Sequence, residues 1–271
     1  MTVLDVAGLP SRHWNRGGER PVLALHCSLA HAGAWSGLAE ALGGVTVTAL
    51  DAPGHGRQAD WDGLSDLHGQ ATREAVALAE ALGGGEAIDF IGHSFGGTVA
   101  MRIALERPDL VRSLTLCEPV IFAAARDAGH PAFAAFQAQH LEMARMVAAG
   151  QWREATAFFH GIWGNGVAFA DLPERAQHYM EVRIGQIVAM NPVLLGDTAG
   201  LLRYMGLEAV GVPVLLIEGA ESPAVIDAVH SELARRLPQV QRLAVPGAGH
   251  MVPISHAAEI APIVQAHLQR C

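Results

Sequence analysis

The sequence contains no lysine, because all 18 of its basic residues are arginine. A Schiff-base site, a P-loop nucleotide site and a protein-kinase site each need a lysine, so these three chemistries are excluded. Cysteine is also scarce. Cys27, Cys117 and Cys271 are too far apart for a disulfide framework or a CxxC metal site. We therefore expect no metal and a reducing, cytoplasmic setting.

Charged residues are few, and long apolar runs are absent. Charged residues make up 17% of the chain and hydrophobic residues 51%, a balance that excludes disorder. The net charge of −9 disfavours nucleic acid and anionic membrane surfaces as partners. No apolar run approaches the ~18 residues of a membrane helix, and the first residues lack the pattern of a secretory signal. We therefore expect neither nucleic acid nor a membrane as a partner.

The order of predicted elements indicates the fold class. Short β-rich runs alternate with longer helical stretches, which is typical of a mostly parallel sheet with helices on both faces. A length of 271 residues fits one such α/β domain with an insertion. The predicted strands are 21–26, 45–50, 87–91, 113–117, 213–218 and 240–245. The predicted helices outside the insertion are 65–82, 96–106, 224–237 and 257–269.

Residues 122–205 break this alternation. They contain no convincing strand, and helical periodicity is present around 133–149, 151–159 and 172–190. Roughly 80 residues of helix between two strands are too many for a simple connection. We therefore predict a helical lid at 122–205, inserted into an α/β core formed by 1–121 and 206–271.

The segment GHSFGG, residues 92–97, carries the clearest chemical signal. It follows the predicted strand 87–91 and opens a predicted helix, which is the strand–turn–helix context of a nucleophile elbow. The glycines allow a tight turn, and the free N–H groups of the helix face the place where an oxyanion would form. We predict that Ser94 is a nucleophile. The alternative is a glycine-rich turn with an incidental serine.

A serine hydroxyl needs a base that removes its proton, and His250 is the best candidate. It lies in PGAGHMVP, directly after the last predicted strand, where glycines and a proline indicate a shaped loop. The other histidines are weaker candidates. His93 adjoins Ser94 but is expected to point elsewhere, and His26 ends a strand. We predict that His250 is the general base.

These motifs resemble the α/β-hydrolase superfamily from about residue 21 to the C-terminus, apart from the insertion. Further similar segments are LHCS at 25–28 followed by Trp35, DAPGHG at 51–56 and PVLLIEG at 213–219. The resemblance implies the α/β-hydrolase fold, no cofactor, and an oxyanion hole formed by the backbone N–H groups of Ser28 and Phe95. Cys27 stands where the family usually has glycine. A backbone donor nevertheless does not depend on the identity of a side chain.

The acid of the triad departs from the usual family pattern. The family commonly places an aspartate three residues after the glycine of LLIxG, and this chain has Ser222 there. Glu118 follows the predicted strand 113–117, a location that haloalkane dehalogenases use for their acid. Glu221 lies one residue before the usual position. We predict Glu118 as the acid, with Glu221 as the alternative and the absence of a functional acid as a third case.

The resemblance implies a lidded serine hydrolase that acts on a carboxylic ester or lactone through a Ser-His-Glu triad and an acyl-enzyme. The alternatives are a C–C bond hydrolase, a cofactor-free haloperoxidase or perhydrolase, and a non-catalytic ligand receptor on the same fold. A dehalogenase is disfavoured because that branch has a carboxylate where this chain has Ser94. The substrate is expected to be a small molecule with an apolar portion. Candidate pocket residues in the insertion are Phe122, Phe133, Phe136, Met143, Trp163 and Met180.

Overall fold

One eight-stranded sheet organises the chain, which the computed structural model describes over residues 1–271. The strands are β1 (Thr2–Val6), β2 (Leu9–Asn15), β3 (Arg20–Leu25), β4 (Val45–Leu50), β5 (Ile88–His93), β6 (Val111–Cys117), β7 (Val214–Gly219) and β8 (Val240–Val245). The helices are α1 (Ser36–Ala41), α2 (Leu67–Gly83), α3 (Phe95–Glu106), α4 (Phe122–Asp127), α5 (Pro131–Ala148), α6 (Trp152–Trp163), α7 (Glu174–Glu181), α8 (Ile184–Ala189), α9 (Asn191–Leu194), α10 (Ala224–Arg236), α11 (Val252–Ser255) and α12 (Ala257–Arg270).

The strand order is β1-β2-β4-β3-β5-β6-β7-β8. Strand β2 is antiparallel to both of its neighbours, and β3 to β8 are parallel to one another. The predicted fold class, a mostly parallel sheet with helices on both faces, is confirmed. Strands β5 and β7 are buried along their whole length. Helices cover both faces of the sheet, which explains why these strands have near-continuous apolar sequences.

The N-terminal hairpin was not predicted. Strands β1 and β2 are joined by Ala7 and Gly8, both with positive φ angles (56° and 76°), as a two-residue hairpin turn requires. Strand β1 is almost entirely exposed at the edge of the sheet. Its sequence, TVLDV, is short and is interrupted by Asp5, so it lacks the near-continuous apolar run that identified the buried strands.

Two apolar layers sandwich the sheet. The larger cluster has 48 buried residues and includes side chains from α2, α3, α10 and residues 122–205, which we call the helical insertion. The smaller cluster, of 23 buried residues, joins the opposite face of the sheet to α1 and α12. The insertion therefore continues the larger core, and its first helix, α4, packs against α10.

The helical insertion contains α4 to α9 and no strand. The predicted helical stretch 172–190 consists of two helices, α7 and α8, with a break near Arg183. The side chain of Arg183 donates a 2.8 Å hydrogen bond to the carbonyl oxygen of Tyr179, which a continuous helix would pair with the Arg183 N–H. None of the helices in the molecule combines the length and hydrophobicity needed to cross a membrane.

Candidate active site

Ser94 occupies the turn between β5 and α3. Its backbone angles, φ 54° and ψ −115°, lie outside the regions that non-glycine residues favour. The neighbouring glycines make this turn possible. A Cβ atom at Gly92 would lie 2.5 Å from the carbonyl oxygen of Gly96, and one at Gly96 would lie 2.2 Å from that of Leu25. Only glycine fits this close packing of turn, helix and strand.

Backbone strain is concentrated around this turn. Six non-glycine residues have positive φ angles, and three of them are Leu29 (59°), Ser94 (54°) and Glu118 (49°). Leu29 lies in the loop after β3, and Ser94 and Glu118 directly follow β5 and β6. Such conformations cost of the order of 1–3 kcal/mol each and persist where the surrounding structure imposes them. The strained residues therefore lie together at the carboxyl edge of the sheet, where Ser94 is found.

His250 lies in the loop between β8 and α11 and forms a hydrogen bond from its Nδ1 to Glu118 Oε2. Glu118 is fully buried. Its other carboxylate oxygen, Oε1, accepts hydrogen bonds from the Gly219 N–H (2.7 Å) and the Ser222 hydroxyl. Three donors thus hold this carboxylate. The structure brings Glu118 to His250, whereas the side chain of Glu221 is exposed and forms no such contact.

The charge of Glu118 is stabilised inside the protein. Burial alone would raise the pKa of its carboxyl group. The adjacent His250 and the hydrogen bonds from His250, Ser222 and Gly219 outweigh burial and lower this pKa below its usual value. The carboxylate is therefore ionised at neutral pH and fixes a proton on His250 Nδ1. The opposite ring nitrogen, Nε2, has no protein partner and can accept a proton.

Two further side chains hold His250. The first is His93, which directs its Nε2 to the backbone carbonyl oxygen of His250 at 2.9 Å. Burial lowers the pKa of His93 to about 3, so it is a neutral donor. Trp163 from α6 packs against the imidazole with 4.7 Å between ring centroids and an angle of 73°. The core therefore anchors the backbone of His250, and the insertion covers its imidazole ring.

Two backbone donors lie beside Ser94. The N–H groups of Ser28 and Phe95 donate to no protein acceptor. Phe95 is the first residue of α3, so its N–H belongs to the positive end of that helix. Ser28, Ser94 and His250 line the same pocket. The arrangement offers a base, a hydroxyl and two free donors at one place.

The loop that contains Ser28 is fixed by two neighbours. The Leu29 N–H donates a 3.0 Å hydrogen bond to His55 Nε2, and the Tyr179 hydroxyl donates one of 2.8 Å to the carbonyl oxygen of Ala30. Burial lowers the pKa of His55 to about 3, so its ring is neutral and able to accept. The Ser28 N–H is therefore oriented before any ligand binds.

The pocket beside Ser94 and His250 is lined mainly by apolar side chains. Those side chains are Val120, Phe122, Phe136, Phe159, Trp163, Ile187, Met190 and Leu194. Among the candidate residues in the insertion, Phe122, Phe136 and Trp163 line the pocket. Met143 instead lines a second, smaller cavity together with His140, and Met180 borders a separate surface groove. The helical insertion therefore supplies most of the wall that faces Ser94 and His250.

Other chemistries find little support in the structure. No group of three or more histidine, cysteine or acidic residues is placed to hold a metal ion. Burial raises the pKa of the Cys27 thiol to about 12, so it is protonated at neutral pH. A protonated, buried thiol is a poor nucleophile, which leaves Ser94 as the candidate nucleophile of the pocket.

Comparison with known proteins agrees with this geometry. Residues 22–263 match the model of the alpha/beta hydrolase family. The chain belongs to this family. It is similar to a protein named lipase LipV from Mycobacterium tuberculosis, with 28% identity over 97% of this chain and 98% of that protein. It is also similar to a protein of the same organism named esterase Rv0045c, with 29% identity over 93% of this chain and 84% of that protein.

Solved structures share the fold at lower sequence identity. A loop variant of the haloalkane dehalogenase DbeA from Bradyrhizobium elkanii superposes with a TM-score of 0.73 and 19% identity, covering 100% of this chain and 99% of that one. A serine hydrolase of carbazole degradation gives a TM-score of 0.69 and 16% identity over 100% and 98% of the two chains. At these identities the likeness supports the fold alone.

Proposed function

We propose that this α/β hydrolase cleaves a carboxylic ester or lactone through an acyl-enzyme, with Ser94 as nucleophile, His250 as base and Glu118 as acid. One observation carries the proposal. The buried Glu118 binds the Nδ1 side of His250, while the Nε2 side is free at a pocket that Ser94 also lines. The relatives named lipase and esterase favour an ester over the other bonds that this fold can cleave.

The first half of the reaction forms the acyl-enzyme. Ser94 Oγ attacks the carbonyl carbon of the ester, and its proton passes to His250 Nε2. The negative oxygen of the tetrahedral intermediate accepts hydrogen bonds from the Ser28 and Phe95 N–H groups. Glu118 orients the imidazole and stabilises its positive charge without taking the proton. His250 then donates the proton to the departing alcohol as its bond to the carbonyl carbon breaks.

The second half consumes one water molecule. The water gives a proton to His250 Nε2 and attacks the acyl carbon, and the same two N–H groups bind the new oxyanion. The bond from the acyl carbon to Ser94 Oγ then breaks, and His250 returns the proton to that oxygen. The products are a carboxylic acid and the original enzyme.

We also propose that the helical insertion acts as a lid over this chemistry. Its aromatic side chains form the outer wall of the pocket, and Trp163 covers the imidazole of His250. Exclusion of bulk water strengthens the ion pair and the oxyanion hydrogen bonds. The apolar wall suits a substrate with an apolar portion.

Hydrolysis of a panel of p-nitrophenyl esters and simple lactones tests the proposed function. We expect hydrolysis of several esters, and a loss of at least about 10³-fold in kcat for Ser94→Ala. Equal activity of the wild type and Ser94→Ala would contradict the mechanism. Faster cleavage of β-diketones than of any ester would show that the enzyme is a C–C bond hydrolase and not an ester hydrolase. Inertness towards every substrate, in a folded sample, would favour a receptor.

A further inference from the structure

A second recess borders the loop that follows Ser28. It is an open groove of about 640 Å³ between the core and the helical insertion. Its wall is formed by β2, by residues 29–34, by the loop after β4 and by α7, and we call it the α7 groove. It shares no lining residue with the pocket of Ser94. The proposed hydrolysis therefore assigns this groove no role.

The α7 groove is lined by three arginines and by no aspartate or glutamate. Of the 18 arginines in the chain, 14 form a salt bridge or donate a side-chain hydrogen bond to a protein oxygen. The other four are Arg12, Arg57, Arg73 and Arg175. Arg12 has only a 3.5 Å contact with the sulfur of Met1. Three of these four arginines, all except Arg73, line the one groove.

The guanidinium group of Arg12 lies close to the wall of the groove. A Cβ atom at Gly33 would lie 3.0 Å from Arg12 Cζ and 2.6 Å from Cε1 of His31, which lines the groove. Burial, and after it the charge of Arg12, lower the pKa of His31. The Nε of Arg12 is buried and has no acceptor. The protein therefore compensates the charge of Arg12 poorly.

The side chains of Arg57 and Arg175 are exposed, and no hydrogen bond holds them. Each is therefore free to turn towards a ligand in the groove. A carboxylate near the groove, Asp51, is buried, and its two oxygens accept the backbone N–H groups of Ala32 (2.7 Å) and Arg57 (3.0 Å). No salt bridge thus neutralises any of the three guanidinium groups, although the chain has a net charge of −9.

The size and charge of the groove favour a small anion over a large one. Its volume is typical of sites for small molecules. A nucleic acid or an acidic protein would also approach the rest of the surface, which is negative overall and repels it. Arginine binds phosphate oxygens through paired N–H donors. A phosphoryl group carries about two negative charges at neutral pH and a carboxylate one, so phosphate matches three guanidinium groups better.

We propose that the α7 groove binds a small phosphorylated molecule through Arg12, Arg57 and Arg175. The apolar part of the wall, which includes Leu29 and Met180, packs against the organic portion of that molecule. The site is separate from the pocket of Ser94, so this inference goes beyond the proposed hydrolysis and does not depend on it.

Calorimetric titration of the wild type with pyrophosphate, and separately with adenosine diphosphate, tests the site. We expect one ligand per chain with a Kd below about 1 mM at low ionic strength, and weaker binding as salt is added. No binding of either probe at concentrations up to about 10 mM would overturn the proposal. Tighter binding of citrate or of an acidic peptide than of both probes would overturn the assignment to phosphate.

Three matched substitutions assign the binding to the groove. Arg57→Gln and Arg175→Gln should each raise the Kd of pyrophosphate about ten-fold, because each removes a charge-assisted hydrogen bond. Both side chains are exposed and unbonded, so the variants should keep the wild-type fold. Arg73→Gln is the control, because Arg73 is also exposed and unpaired but lies on α2, outside the groove. An equal loss of affinity in all three variants would show that only the overall charge matters and would overturn the site.

Ser94→Ala separates this inference from the proposed function. The variant should lose ester hydrolysis and still bind pyrophosphate with the affinity of the wild type. Loss of pyrophosphate binding in Ser94→Ala would place the anion in the pocket and overturn the groove site. Normal hydrolysis by a wild type that binds no pyrophosphate would overturn the groove site alone.

Discussion

The pocket has two sides of different origin. On the core side, Ser94, Glu118 and His250 each follow a strand of the parallel sheet, namely β5, β6 and β8. The carboxyl ends of parallel strands meet at one edge, so the topology itself gathers these residues. On the insertion side, the lining residues come from α4, α5, α6, α8 and α9 and from the turn between α8 and α9, and packing between helices brings them together.

The two sides are also held by different forces. Glu118 has three hydrogen-bond donors and a strained backbone, and a second histidine binds the loop of His250. The insertion side depends mainly on aromatic packing, such as the 4.0 Å centroid distance between Phe122 and Phe136. We conclude that changes on the core side should reduce kcat, whereas changes on the insertion side should mainly alter KM and substrate preference.

The largest effect is expected from Glu118→Gln. The amide cannot stabilise the charged imidazole and disturbs its tautomer, so kcat should fall by about 10³–10⁴-fold. Glu221→Gln is the matched control, because Glu221 is exposed, and its kcat should stay within about two-fold of the wild type. Steady-state kinetics on a p-nitrophenyl ester measures both. The reverse result would make Glu221 the acid.

The position of Ser222 allows the acid to be relocated. Its hydroxyl already donates to Glu118, so a carboxylate at residue 222 would lie close to His250. Ser222→Asp in the Glu118→Gln background should therefore recover at least about ten-fold of the lost kcat. Ser222→Asn in the same background is the control and should recover nothing. Equal recovery of kcat by Ser222→Asp and Ser222→Asn would show that the negative charge of the new carboxylate does not cause the recovery.

On the insertion side, Trp163→Ala should raise KM for apolar esters by about ten-fold, with a smaller change in kcat than Glu118→Gln causes. Trp163 is almost fully buried, so thermal or urea unfolding should also show a loss of about 3–5 kcal/mol. Trp152→Ala on the same helix is the control, because Trp152 is 53% exposed. If Trp163→Ala changed kcat and left KM unchanged, the expectation that the insertion side acts mainly on KM would be contradicted.

The smallest effect at neutral pH is expected at His230, a fully buried residue of α10. Its ring nitrogens form no hydrogen bond, and its Nδ1 lies 3.6 Å from Glu218 Oε2. Burial lowers the pKa of His230 from 6.5 to about 4. The unfolded chain therefore binds a proton more readily than the folded one between these values, and the folded protein loses stability as the pH falls through this window.

His230→Leu removes this dependence. The free energy of unfolding of the variant relative to the wild type should rise by about 2 kcal/mol between about pH 7.5 and about pH 5. Urea unfolding at both pH values measures the difference. A difference that does not change with pH would mean that His230 titrates alike in the folded and unfolded states.

The core side of the pocket could be predicted from the sequence, because each of its motifs lies within a short stretch of the chain. The six parallel strands, the GHSFGG turn and the loop of His250 are each contained in a few consecutive residues. Glu118 required the further inference that the end of β6 lies beside the elbow strand. Its role, like those of Ser94 and His250, remains a prediction until it is measured.

The parts that could not be predicted depend on distant contacts. Ser222 was noted only as a departure from the family pattern, and its bond to Glu118 spans 104 residues. The contact between His93 and His250 spans 157 residues, and the hydrogen bond between His140 and Asn191 joins two helices of the insertion. The edge strand β1 is exposed, and Asp5 interrupts its short apolar sequence, TVLDV. None of these contacts leaves a pattern in neighbouring residues.

The most direct test of the central claim is the mass of the protein after reaction with a fluorophosphonate at neutral pH, followed by peptide mapping. We predict one adduct per chain, located on Ser94, strongly slowed in Glu118→Gln and absent in Ser94→Ala. No adduct on the folded wild type, or an adduct at another residue, would contradict the account.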